Sequence, residues 1–87
     1  MEKLIKLKHL KNIIENEIKK ILVKINPDCK KITPNTDLIA GGFIDSFGFL
    51  ILVSELEKSF KKKINTIKYN TSEFRSINTI KKIIKNS

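Results

Sequence analysis

Few residues in this chain offer chemistry, and one pair stands out by its position. Asp45 and Ser46 lie where a stretch holding both prolines and the adjacent Gly41 and Gly42 gives way to an apolar run. A hydroxyl at such a boundary has two uses. It can cap the helix that follows by accepting a backbone amide, or it can be the place where a group is attached. The first turn of a helix has unpaired N–H groups and the positive end of the helix dipole, and both favour a phosphodiester. The preceding glycines would let a modifying enzyme approach the backbone closely. An activated serine needs a base, and the only histidine, His9, falls on the first helix, with no Ser-His-acid pattern in the chain. Ser46 therefore reads as a site acted upon, and no catalytic residue is assigned. Cys29 is the single cysteine, so no internal disulfide forms, and with one histidine there is no metal-ligand cluster.

The elements that must position this pair follow from periodicity. From residue 4 to residue 25, apolar side chains fall at 7, 10, 14, 18, 21 and 25, with Ile13 and Leu22 widening the stripe. That spacing predicts an amphipathic helix, which Pro27 ends. Residues 26–45 read as a long loop. A connection of about 20 residues is uncommon in a compact domain and is usually functional. Its apolar residues Ile32, Leu38, Ile39, Phe43 and Ile44 suggest that it packs down. A second helix is expected from Ser46 to Phe60. A polar stretch follows, anchored by Ile64, Ile67 and Tyr69, and Thr71–Phe74 has room for one helical turn. The last helix starts after Ser76 as N-cap and buries Ile77, Ile80, Ile83 and Ile84, with Lys81, Lys82 and Lys85 near its negative end. No segment alternates, so the fold class is all-α: three main helices, one short helix and a long first loop.

With Ser46 at 0° and about 100° per residue, the second helix divides into three faces. Phe49, Leu52, Val53, Leu56 and Phe60 form a core stripe. Gly48, Glu55 and Ser59 form what reads as a solvated edge. Phe47, Leu50, Ile51 and Ser54 make a second, mostly apolar face beside Ser46. An exposed apolar patch rimmed by polar residues marks a docking surface; the plainer alternative is a central helix covered on both sides.

The bulk composition bounds the answer. Eighty-seven residues make one domain, 1–87, which buries only about 60–65 % of its unfolded surface. So small a core favours a binding or carrier module over a self-sufficient enzyme. Lysines interrupt the apolar positions near the start, so nothing resembles a signal peptide. No apolar run approaches the ~20 residues that cross a bilayer, and a soluble, cytoplasmic monomer is expected. The net charge of +9 suggests nucleic acid. Its distribution argues otherwise, because residues 32–57 hold no Lys or Arg and carry Asp37, Asp45, Glu55 and Glu57. A basic helical module for nucleic acid or an anionic surface is thus the rival of another class. The five Phe and Tyr69 are placed mostly to pack rather than to stack on bases.

Three runs together resemble a known family. They are Asp37-Leu38 with Gly42-Phe43-Ile44-Asp45-Ser46-Phe47-Gly48, then Leu52-Val53-Ser54-Glu55-Leu56-Glu57, then Phe74-Arg75-Ser76-Ile77-Asn78-Thr79-Ile80. They look like the signature of acyl carrier proteins, and the likeness covers nearly the whole chain. The resemblance implies an acyl-carrier-like four-helix bundle. It implies 4′-phosphopantetheine, drawn from coenzyme A, esterified to Ser46 by a separate phosphopantetheinyl transferase. Asp45 would help present Ser46, and an acyl or aminoacyl group would ride as a thioester on the arm. Phe47, Leu50 and Ser54 match positions that meet partner enzymes, and the wheel adds Ile51. Carriers of fatty-acid synthesis are strongly acidic along this helix, whereas here Gly48, Ile51 and Lys58 occupy such positions. The Ile-Asp-Ser-Phe-Gly run is closer to stand-alone D-alanyl and other aminoacyl carriers. Those are loaded by an adenylating ligase, so a specialised carrier is expected ahead of a housekeeping one.

Overall fold

The computed structural model describes the backbone of residues 2–86 and the side chains of residues 13–86. The described chain is all-α: α1 (Glu2–Ile25), a 3₁₀ turn (Pro27–Lys31), α2 (Ser46–Phe60), a second 3₁₀ turn (Thr71–Phe74) and α3 (Ile77–Asn86). No strand occurs among the described residues. Among the described residues, no helix is long and apolar enough to cross a membrane.

The boundaries have local causes. Asn26 follows the last turn of α1, and its side chain accepts the amide of Asp28 at 3.0 Å, which opens the 3₁₀ turn with Pro27 in its first position. The segment 26–45 thus begins with a short helical turn that its prolines and polar residues had suggested as plain loop. At the start of α3 the expected cap forms, as the amide of Thr79 donates to Ser76 Oγ at 3.2 Å. The amide of Ser76 donates back to Thr79 Oγ1 at 3.1 Å, a reciprocal box with Thr79 in the role usually held by Glu. α2 ends at Lys61, which takes left-handed angles (φ 52°) while its amide and that of Lys62 turn back to the carbonyl of Glu57.

One core joins all the elements. Ile18, Ile21 and Leu22 enter it from α1, Leu52, Val53 and Leu56 from α2, and Ile77, Ile80, Ile83 and Ile84 from α3. The loop contributes Cys29, Ile32, Leu38 and Ile44, and the second connection Ile64 and Phe74. Phe74 meets the half-buried Phe49 edge-to-face at 5.1 Å between ring centroids. Three expected core positions turn outward instead. Ile13 lies at the edge of the α1 stripe and is half exposed, Ile39 sits on an outward turn of the loop, and Ile67 is 96 % exposed. Stripe positions 7 and 10, and the ring of His9, lie outside the described side chains.

Candidate functional site at the head of α2

The start of α2 is built by Asp45. This residue is the N-cap, extended at φ −101° and ψ −173°, and its Oδ1 accepts the amide of Gly48 at 2.7 Å. Its carbonyl takes the first intrahelical bond, from Phe49 at 2.8 Å. Ser46 is therefore the first helical residue and not the cap, which removes the plainest alternative for its hydroxyl. The side chain is exposed and makes no hydrogen bond among the described residues. The amides of Ser46 and Phe47 likewise have no acceptor among those residues. The result is a free hydroxyl beside unpaired donors at the positive end of a helix.

The loop is rigidly referenced to this point. Oδ1 of Asp37 accepts the amides of Ile39 and Ala40 at 3.1 and 2.9 Å, and the amide of Gly41 returns to the Asp37 carbonyl at 3.0 Å. A Cβ on Gly41 would stand 2.7 Å from that carbonyl, and Gly42 takes φ +76°. These two glycines thus have a turn to make, a reason internal to the fold. The carbonyl of the fully buried Leu38 accepts the amides of Phe43 and Ile44. The Leu38 amide in turn donates to the carbonyl of Arg75 at 2.6 Å, and Asn26 Nδ2 donates to the carbonyl of Phe43 at 3.1 Å. The chain leading into Ser46 is held from α1 on one side and from the segment before α3 on the other.

α2 shows three faces, with one reassignment. The core stripe is as the periodicity requires, with Leu52, Val53 and Leu56 buried and Phe49 and Phe60 packed against them. The edge of Gly48, Glu55 and Ser59 is solvated only in part: Ser59 is exposed and Glu55 half-buried. Gly48 is buried, and a Cβ there would lie 3.3 Å from Ile25 and 3.4 Å from Ile44. Glu55 pairs with Lys24 at 3.9 Å, and Ser59 Oγ donates to Glu17 at 2.8 Å. This edge runs beside α1, buried at Gly48 and still open to water at Ser59. The third face stays open: Phe47 is 71 % exposed, Leu50 64 % and Ile51 36 %, with Ser54 exposed among them. The structure brings Ser46 and these four residues together on one outward surface.

Comparison with known proteins adds no relative. No family model, curated protein or solved structure matches the chain. Its functional reading rests on its own residues. No group of three or more His, Cys, Asp or Glu able to hold a metal occurs among the described residues. Cys29 is fully buried, and burial, with the Asp28 carboxylate beside it, pushes its thiol pKa above the ordinary value. It is no nucleophile in the folded state. Sequence reading missed two contributors to the site: the cap role of Asp45 and the inward side of Gly48. An Asp directly before the helical run was the available signal for the first.

Proposed function

We propose that this chain is an acyl- or aminoacyl-carrier protein bearing 4′-phosphopantetheine on Ser46. The observation that carries the reading is the division of labour at the head of α2. Asp45 caps the helix and so leaves the Ser46 hydroxyl exposed and without a hydrogen bond of its own. A hydroxyl retained there for stability would be the one making the capping bond. The three α-helices with a 3₁₀ turn before the last one are compatible with an acyl-carrier-like four-helix bundle.

The residues fit the group. The Ser46 oxygen is the point of attachment, and the free amides of Ser46 and Phe47 with the helix dipole favour the negative phosphodiester. Asp45 holds the first turn so that the hydroxyl faces outward. In the transfer, Ser46 Oγ forms a bond to the phosphorus that carries pantetheine. The pyrophosphate bond of coenzyme A breaks, adenosine 3′,5′-bisphosphate leaves, and the serine proton passes to a base of the transferase. When attached, the arm supplies a thiol that holds the cargo as a thioester. Phe47, Leu50, Ile51 and Ser54 form the surface on which the transferase and an adenylating ligase or synthase dock. The protein acts as a monomer in the cytoplasm, and its sparse carboxylates along α2 favour a specialised pathway over fatty-acid synthesis.

The test is intact mass after incubation with coenzyme A and a promiscuous phosphopantetheinyl transferase. A single phosphopantetheine adduct is expected on the wild type and none on Ser46→Ala. No adduct on folded wild type would sink the reading.

A further inference from the structure

The open face of α2 does not stop at Ser54. On the same wheel Lys58 falls at about 120°, inside the span of Phe47, Leu50 and Ile51, and Lys61 follows as the left-handed cap that ends α2. All of these residues are exposed. At about 1.5 Å per residue, the face from Phe47 to Lys61 is about 21 Å long. It is apolar at the Ser46 end, neutral at Ser54 and cationic at the far end. There it borders a shallow cleft of about 440 Å³ lined by Ser54, Glu57, Lys58, Lys61, Lys62 and Lys63.

The cations of this end outnumber the acid beside them, with Lys58, Lys61, Lys62 and Lys63 around the cleft against Glu57. Lys58 and Lys61 have no carboxylate partner among the described residues, where the ion pairs are Lys24 with Glu55 and Lys81 with Glu15. Of the carboxylates closest along α2, Glu55 pairs with Lys24, while Glu57 accepts the amide of Ile64 at 2.8 Å and offsets part of the lysine charge at the cleft. Lys62 donates to the carbonyl of Ile84, which holds the turn that presents its neighbours.

We infer that this face docks a protein surface made of an apolar recess with a cluster of carboxylates about 20 Å from the point that receives Ser46. Charge complementarity selects that chemistry, since unpaired surface cations steer association toward a negative patch. A helix lying in a membrane interface carries its cations on a polar face that runs alongside the apolar one. Here the two parts are separated along the axis, and the edges hold Glu55 and Glu57. A nucleic acid would leave Leu50 and Ile51 uncovered. The inference rests on the carrier reading for what the partner does at Ser46, while the contact itself needs no arm.

The experiment titrates the unmodified full chain, labelled with ¹⁵N, against two designed helical peptides. Both share one apolar face; one carries glutamates at a single end and its twin carries lysines there. Amide shifts at Phe47, Leu50, Ile51, Ser54, Lys58 and Lys61 are expected with the glutamate peptide, at an affinity near about 1 mM or better. Binding should weaken several-fold between about 50 and about 300 mM salt. Lys58→Glu with Lys61→Glu should lose about tenfold for the glutamate peptide and gain for the lysine twin. The milder Lys58→Gln with Lys61→Gln covers any loss of helix stability. Equal binding of the two peptides, or no shift on this face, overturns the inference. So does co-sedimentation with phosphatidylglycerol–phosphatidylcholine vesicles through these residues, saturable duplex DNA binding through them, or a concentration-dependent shift of the same amides without peptide. Failure of the carrier reading shows separately, as a missing adduct on Ser46 with peptide binding intact.

Discussion

The carboxylate of Asp45 accepts the amide of Gly48 at 2.7 Å, so α2 is capped by the residue that precedes its exposed serine. Stability and chemistry are thereby assigned to adjacent side chains. Asp45→Ala should cost about 1 kcal/mol, which lowers the melting temperature by about 4–8 °C in a domain of this size. Ser46→Ala should stay within about 0.5 kcal/mol of wild type. Thermal unfolding by circular dichroism reads both, and a larger loss in the serine variant would reverse the assignment.

Gly48 has a packing role. Its Cβ position lies 3.2 Å from the capping oxygen of Asp45, with Ile25 and Ile44 little farther away. Gly48→Glu, which would make α2 look more like an acidic carrier helix, should therefore cost about 2 kcal/mol or more. It both overfills the contact with α1 and places a charge there. Denaturant unfolding checks this, and a neutral outcome would mean that α1 and α2 separate at this end.

The open face predicts the opposite pattern. Phe47→Ala should change stability by less than about 0.5 kcal/mol, since 71 % of the residue is already in water. Ile51→Asp should cost less than about 1 kcal/mol. Each should slow phosphopantetheine transfer to Ser46 by about tenfold if docking uses this face. Collapse of the fold in either variant would identify the patch as core.

Cys29 provides an internal control for the arm. Its thiol is fully buried with a raised pKa, so it should react slowly with a thiol reagent in the folded protein. A folded, modified chain should show one fast thiol, that of the arm, and a folded, unmodified chain none. The same burial sets a pH dependence. A thiol whose pKa is higher folded than unfolded contributes stability that is complete below the ordinary value of 9.0 and fades as pH rises through the raised one. Cys29→Ala should remove that alkaline sensitivity while leaving a small cavity.

Much of the architecture was legible because helices write their period into residue order. The four isoleucines of α3 are all buried, as their spacing requires, and Ser76 caps that helix. The turn at Thr71–Phe74 follows from the same local preferences. Ile13, Ile39 and Ile67 were less legible, because an apolar residue at the margin of a stripe or in a loop carries no angular information strong enough to bury it. In a chain with so many isoleucines, some are left in water.

At the candidate site the division is sharper. The amino-acid sequence by itself determined that α2 begins at Ser46 and carries an apolar face beyond its core stripe, since both are properties of one helix. Only the tertiary structure decided which remaining face lies beside α1. Gly48, Glu55 and Ser59 resemble a solvated edge on a wheel, yet α1 lies against them through Ile25, Lys24 and Glu17. A wheel assigns angles and cannot assign neighbours. It is that packing, together with the cap at Asp45, that leaves Ser46, Phe47, Leu50 and Ile51 facing outward.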